Sequence, residues 1–210
     1  MIIRREQPSD YAAVEALTRT AFYNIYVPGC AEHYLVHVMR QREGFVPELA
    51  FVAELNGKII GNIMYTTADL IDDTGGKKEI LTFGPVCIHP DYQRQGYGKE
   101  LIAYSLDQAK ALGYEAVVIF GSPANYVSSG FVSCKKYHVT NEDGRYPAAM
   151  MVKELRPGAL EGKHWIYRES PAIQISLEEA QRYDDALEPM EKRYQPSQEE
   201  FYILSNSFLE

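Results

Sequence analysis

Cysteine is scarce in this 210-residue sequence: Cys30, Cys87 and Cys134 are odd in number, and no two form a C-x-x-C pair. That excludes a disulfide framework, gives no sign of a zinc site, and fits a reducing compartment, so a cytoplasmic protein is expected. Long apolar runs are missing as well. Nowhere do eighteen apolar residues follow one another and no apolar leader opens the chain, which argues against a membrane span or a signal peptide. Basic charge is also short. The 21 Lys and Arg face 29 Asp and Glu, a net charge of −8, with no basic stripe to follow a nucleic-acid backbone. An acidic surface keeps such a chain soluble and mildly favours a cationic acceptor. Internal repeats and low-complexity segments are absent.

What is present suggests one core domain, residues 1–155, with an extension, residues 156–210. Residues 157–210 hold 5 Lys and Arg against 11 Asp and Glu, six of the eight net negative charges. The first strand is expected at Ile2–Arg5, followed by a helix capped by Ser9 and running to Phe22, with Val14, Leu17 and Ala21 on its apolar stripe. A second helix spans 31–41. Strands at 49–55 and 58–67 pair as a hairpin around Asn56-Gly57, and 79–88 forms the next strand. A helix from Gly98 to Leu112 stops at Gly113, and the apolar run 115–120 reads as a strand buried on both faces. A short helix at 124–129 and strands at 131–133 and 148–155 complete the core. In the extension, Trp165-Ile166-Tyr167 suggests a strand, and Ser176 and Ser197 each suggest a helix start.

The most informative stretch is Gln93-Arg94-Gln95-Gly96-Tyr97-Gly98, entered from Val86-Cys87-Ile88-His89-Pro90. A strand, a glycine turn and a helix N-terminus place unpaired amides and the positive end of the helix dipole together, which favours a phosphate or pyrophosphate. Two familiar glycine motifs fail here. Leu101 stands where a dinucleotide fingerprint needs its third glycine. A P-loop needs a glycine at Gln93 and a Ser or Thr at Glu100. The remaining pattern, Gln-x-x-Gly-x-Gly after an x-His-Pro turn, resembles the acetyl-coenzyme A motif of the GNAT superfamily of N-acetyltransferases. Further on, Asn125-Tyr126 stands before Gly130-Phe131, similar to a second signature of that family, and Ile2-Ile3-Arg4-Arg5 with Pro8-Ser9-Asp10-Tyr11 is similar to its opening.

The resemblance implies an α/β fold: a mixed, mostly antiparallel sheet with a central splayed parallel strand pair, flanked by helices. It implies acetyl-coenzyme A as cofactor. The backbone of Val86, Cys87 and Ile88 would pair with the pantetheine arm, and Gln93, Arg94, Gln95, Gly96, Tyr97, Gly98, Lys99 and Asn125 would complete the cofactor site. Tyr126 would be the general acid, since a phenol of pKa about 10 can supply a proton to a leaving thiolate. Many members carry a glutamate base near the position of Gly84. This chain reads Thr82-Phe83-Gly84-Pro85, with Glu79 and Asp69 displaced from that place, so no base is named.

The expected reaction is acetyl transfer to the primary amine of a small molecule in a ternary complex. A coenzyme A-binding sensor without turnover and a transferase acting on protein lysines or N-termini stay open as alternatives. His33 and His37, four apart on one helix face, lack a third ligand, so no metal is expected. Phe22, Tyr23, Tyr26 and Tyr34 are candidates to line the acceptor pocket or to fill the core. The extension either packs on the core, walls the acceptor site, or forms a homodimer contact.

Overall fold

β3, the long strand Lys58–Asp72, organises the sheet because its alternate side chains are buried on both faces. The computed structural model describes residues 1–210. β1 (Ile2–Arg5) enters a 3-10 turn at Pro8–Asp10 and then α1 (Tyr11–Phe22) and α2 (Glu32–Met39). β2 (Phe51–Leu55), β3 and β4 (Lys77–Ile88) form a meander, followed by α3 (Tyr97–Ala111), β5 (Ala116–Phe120) and α4 (Pro123–Tyr126). The chain continues through β6 (Val132–Ser133), β7 (Val139–Thr140), β8 (Tyr146–Pro147) and β9 (Met150–Glu154). Last come β10 (Trp165–Arg168), α5 (Leu177–Asp185), α6 (Pro196–Ser205) and β11 (Phe208–Leu209).

The main sheet runs β1-β2-β3-β4-β5-β9-β6, with β10 added alongside the far half of β3 and carrying β7 on its other side. Its neighbours are antiparallel except for β4 with β5 and β7 with β10. The expected mixed sheet with a central parallel pair is therefore observed. Residues beyond 155 join this sheet through β10, which pairs Trp165 with Asp72 and Arg168 with Asp69.

One face of the sheet packs on α3. There Leu101, Leu106 and Ala109 meet Ile63, Tyr65 and Leu81 in the largest apolar cluster. The other face packs on α1 and α2, where Val14, Val36 and Met39 meet Val52 and Met64. Ile63 and Tyr65 thus point one way and Met64 the other, as the strand period requires. No helix is long and apolar enough to cross a membrane.

Two predicted helix caps are replaced. Asp10, not Ser9, organises the start of α1: its carboxylate accepts the Gln7 amide at 2.8 Å and binds the Arg4 guanidinium. Ser197 lies inside α6, which starts at Pro196 behind Gln195, and its hydroxyl donates to the Ile25 carbonyl at 2.8 Å. Ser176 caps α5 as expected, accepting from the Glu179 amide.

Candidate active site

The turn between β4 and α3 is held from within. Gln93 Nε2 donates to the Ile88 carbonyl at 2.9 Å, Gln95 Nε2 donates to the Asp91 carbonyl at 3.2 Å, and His89 Nδ1 accepts the Asp91 amide. Arg94 and Gly96 have positive φ, 61° and 90°. With these two inversions the backbone amides from Arg94 to Lys99 donate to no protein acceptor, and the first helical bond runs from Glu100 to the Gly96 carbonyl. Successive free amides at a helix N-terminus form an anion-binding concavity. The Arg94 and Lys99 side chains are exposed and make no ion pair. Gly96 is required by its conformation rather than by space, since nothing lies within 4 Å of where its Cβ would stand. This loop fits the pyrophosphate of a nucleotide-bearing cofactor.

Beside the cradle the sheet opens. β4 and β5 share a single register pair, Leu81 with Val117. Beyond it, β4 carries two residues, Gly84 and Pro85, opposite Met64 alone, because Phe83 faces Tyr65 and Val86 faces Ile63. This is a β-bulge, which bends the strand, and Pro85 has no N–H to offer a ladder. The residues after the bulge therefore present an edge without a partner on the β5 side. Cys87 does not face this opening: its thiol donates to Asn62 Oδ1 at 2.9 Å, and burial pushes it up to about 12. Ile88 packs so closely on Gly61 that a Cβ there would clash with its side chain. What β4 offers a ligand at Cys87 and Ile88 is backbone.

A cleft of about 200 Å³ lies at the mouth of this opening. Phe83, Gly84, Pro85 and Val86 of β4 form its floor, with Phe120 from the end of β5 and Tyr126 from α4. Phe22 and Tyr26 enter from the end of α1, Glu32 and Leu35 from α2, and Ile173 from the chain after β10. The Tyr126 ring packs against Phe83 at 5.8 Å and Phe131 at 6.0 Å. It also lies over Gly121, where an added Cβ would come within 2.5 Å of Tyr126 Cε2. Its hydroxyl has no protein hydrogen bond, and burial first, then the nearby Tyr26, raises it above the ordinary phenol value. The phenol is therefore protonated at neutral pH.

Glu32 is the residue that sequence reasoning missed. It is the one carboxylate among the cleft residues, and no Lys, Arg or His joins it. Burial raises it above the ordinary carboxylate value, partly offset by its own amide and by that of Ala31, which donates to Oε2 at 3.0 Å. Burial first, then the Glu32 charge, raises the Tyr26 phenol above its ordinary value.

Other sequence candidates fall elsewhere. Asn125 is exposed on α4 and is not among the cleft residues. Of the four aromatic candidates, Phe22 and Tyr26 line the cleft, whereas Tyr23 donates to the Met190 carbonyl and Tyr34 to Glu179. His33 is buried beside Cys30 and Asp184, and His37 lies against Tyr183 and Glu15. Asp69 pairs with Lys77, and neither it nor Glu79 reaches the cleft.

Residues 19–134 match the family described as Acetyltransferase (GNAT) family. An Escherichia coli K12 protein named as an uncharacterized N-acetyltransferase, YhbS, is 29% identical over 162 residues, 77% of this chain and 92% of that protein. The crystal structure of Escherichia coli YhbS in complex with CoA superposes with a TM-score of 0.69 at 27% identity, covering 81% of this chain and 90% of that one. A GNAT family acetyltransferase from Brucella melitensis in complex with acetyl-CoA shares the fold, with a TM-score of 0.63 at 23% identity over 82% of this chain and 97% of that one.

Proposed function

The chain belongs to the acetyltransferase (GNAT) family, and on that premise we propose that it transfers an acetyl group from acetyl-coenzyme A to the primary amine of a small molecule. Acetyl-coenzyme A supplies the acetyl group activated as a thioester. The free amides from Arg94 to Lys99 hold its pyrophosphate, helped by the Arg94 and Lys99 charges, while Gln93 and Gln95 keep the turn in shape. The unpaired edge of β4 around Val86, Cys87 and Ile88 takes the pantetheine arm as an added strand. Gly96 and Gly98 keep the approach open beside Tyr97, and Asn125 is a further contact from α4.

Tyr126 is the proton donor. The observation that carries this reading is its half-buried phenol, whose hydroxyl has no protein partner, lining the cleft where β4 parts from β5. A phenol raised above 10 does not favour full proton transfer to a thiolate of pKa about 8.5. Its contribution is a hydrogen bond to the charge developing on sulfur, with the proton following as the amine nitrogen loses one. The small volume of the cleft and its wall at Ile173 favour a small acceptor over a polypeptide. In this reading residues 1–155 carry the transferase and the acidic residues 156–210 pack on it and wall the acceptor side.

Release of free thiol from acetyl-coenzyme A with a panel of amines tests the assignment. Tyr126→Phe is expected to lower kcat by about 10²- to 10⁴-fold with little change in coenzyme A affinity. Tight cofactor binding without thiol release for any amine would overturn the enzymatic reading.

A further inference from the structure

The chemistry of the cleft restricts the acceptor, and it does so through what lines it as much as through what does not. Its only carboxylate is Glu32, and no Lys, Arg or His lines it. An acceptor with a single ammonium finds one counter-charge there. A second ammonium would meet no second carboxylate, and an acceptor carboxylate would meet no cation, leaving a desolvated charge unpaired in either case. Apart from Thr82, the remaining side chains that wall it are apolar or aromatic, among them Phe22, Leu35, Phe83, Phe120 and Ile173. Aromatic faces also attract an ammonium beside them. About 200 Å³ is of the order that holds a single ring with a short arm.

We propose that this cleft accepts a primary monoamine carried on a compact apolar or aromatic body, and that Glu32 both anchors its ammonium and accepts the proton that frees the nitrogen. The proposal rests on the acetyltransferase reading above and names its acceptor class. In the proton step one N–H bond of the ammonium breaks and its electron pair stays on nitrogen. The proton bonds to a Glu32 carboxylate oxygen, which later returns it to solvent. The base thus comes from the first turn of α2 and not from the strand that carries Gly84. Burial raises Glu32 and the same apolar surroundings lower the bound amine, so the proton passes between groups brought closer in basicity than they are in water.

The test uses the full chain with coenzyme A present, and titration calorimetry with 2-phenylethylamine, 2-phenylethanol, 1,4-diaminobutane and phenylalanine. Expected is binding of 2-phenylethylamine at least about tenfold tighter than each of the other three. Glu32→Gln should weaken that binding about 10- to 100-fold and remove the acid limb of the kcat/KM profile, without changing coenzyme A affinity. Should Glu32→Gln fail to fold, Ile173→Asp provides the second arm. A second carboxylate in the cleft should shift preference toward 1,4-diaminobutane. Equal binding of amine and alcohol, or an unchanged preference in both variants, overturns the proposal. If thiol is released with amines but Glu32→Gln leaves affinity and pH profile intact, the proposal falls and the acetyltransferase reading stands. If 2-phenylethylamine binds through Glu32 but no amine ever releases thiol, the acetyltransferase reading falls instead and the monoamine site stands.

Discussion

At residue scale, Gly121 matters as much as Tyr126 does, because it is the absence of a side chain there that lets the phenol ring settle across the end of β5. Gly121→Ala should displace the ring, and a displacement of about 1 Å at a reacting group costs on the order of 10²-fold in rate. Steady-state kinetics should show that loss while the thermal midpoint stays near wild type. His33 gives a second residue-scale prediction. Burial holds it below its ordinary value of 6.5, outweighing the Asp184 charge, while Arg19 pushes the same way as burial and Glu15 the opposite way. The unfolded chain then binds more protons than the folded one between the lowered value and 6.5, so stability rises with pH through that window. It is lost as pH falls below 6.5. Thermal unfolding between pH 7 and pH 5 should show a falling midpoint, with a flatter slope in His33→Gln. The sequence singled out Tyr126 because its spacing to Gly130-Phe131 is local, and the structure puts its side chain in the cleft. It did not single out Glu32. A glutamate in the first turn of a helix is what the helix dipole favours anywhere, and only the tertiary fold turns this one toward a cleft.

At the scale of elements, the decisive device is the pair of inverted residues that frees the amides before α3. Gly96→Ala keeps the space but puts a Cβ on a residue at φ 90°, at a cost of about 1–2 kcal/mol for a left-handed residue. The loop is expected to relax, weakening coenzyme A about tenfold by titration, while circular dichroism shows α3 unchanged. The hairpin at Asn56-Gly57, α3 with its stop at Gly113, and the buried β5 were all readable, because local turn chemistry and apolar periodicity agree in each. The Ser9 and Ser197 caps misled for a physical reason: α1 is opened by Asp10, held by Arg4 from β1, and Ser197 bonds the Ile25 carbonyl, a tertiary contact the local sequence does not show. The two-residue strands β7, β8 and β11 are defined only by what they lie against, so no pattern announces them.

At the scale of the whole molecule, the extension is a strap across the junction of α1 and α2. Arg19 Nε binds Asp184 Oδ1 at 2.7 Å in a buried pair, and Arg19 also donates to the Glu188 carbonyl. Asn24 donates to the Glu191 carbonyl and accepts from the Arg193 amide, and Gln198 donates to the Asn24 carbonyl. Tyr26 packs on Phe201 at 4.7 Å. The loop that delivers Tyr26 and Glu32 to the cleft is therefore fixed from outside. Asp184→Ala would leave the Arg19 guanidinium buried and unpaired, a loss of about 3–5 kcal/mol in denaturant unfolding. The Michaelis constant for the amine is expected to rise more than that for acetyl-coenzyme A, since the cradle before α3 touches none of these contacts.

The strap also sets an order of events during synthesis. Translation delivers the cradle, the bulged strand and Tyr126 well before Asp184 and Gln198, and domains tend to fold from the N-terminal side as they emerge. The residues of the cradle and of most of the cleft thus emerge early, whereas the contacts that brace Tyr26 and Glu32 from outside emerge last.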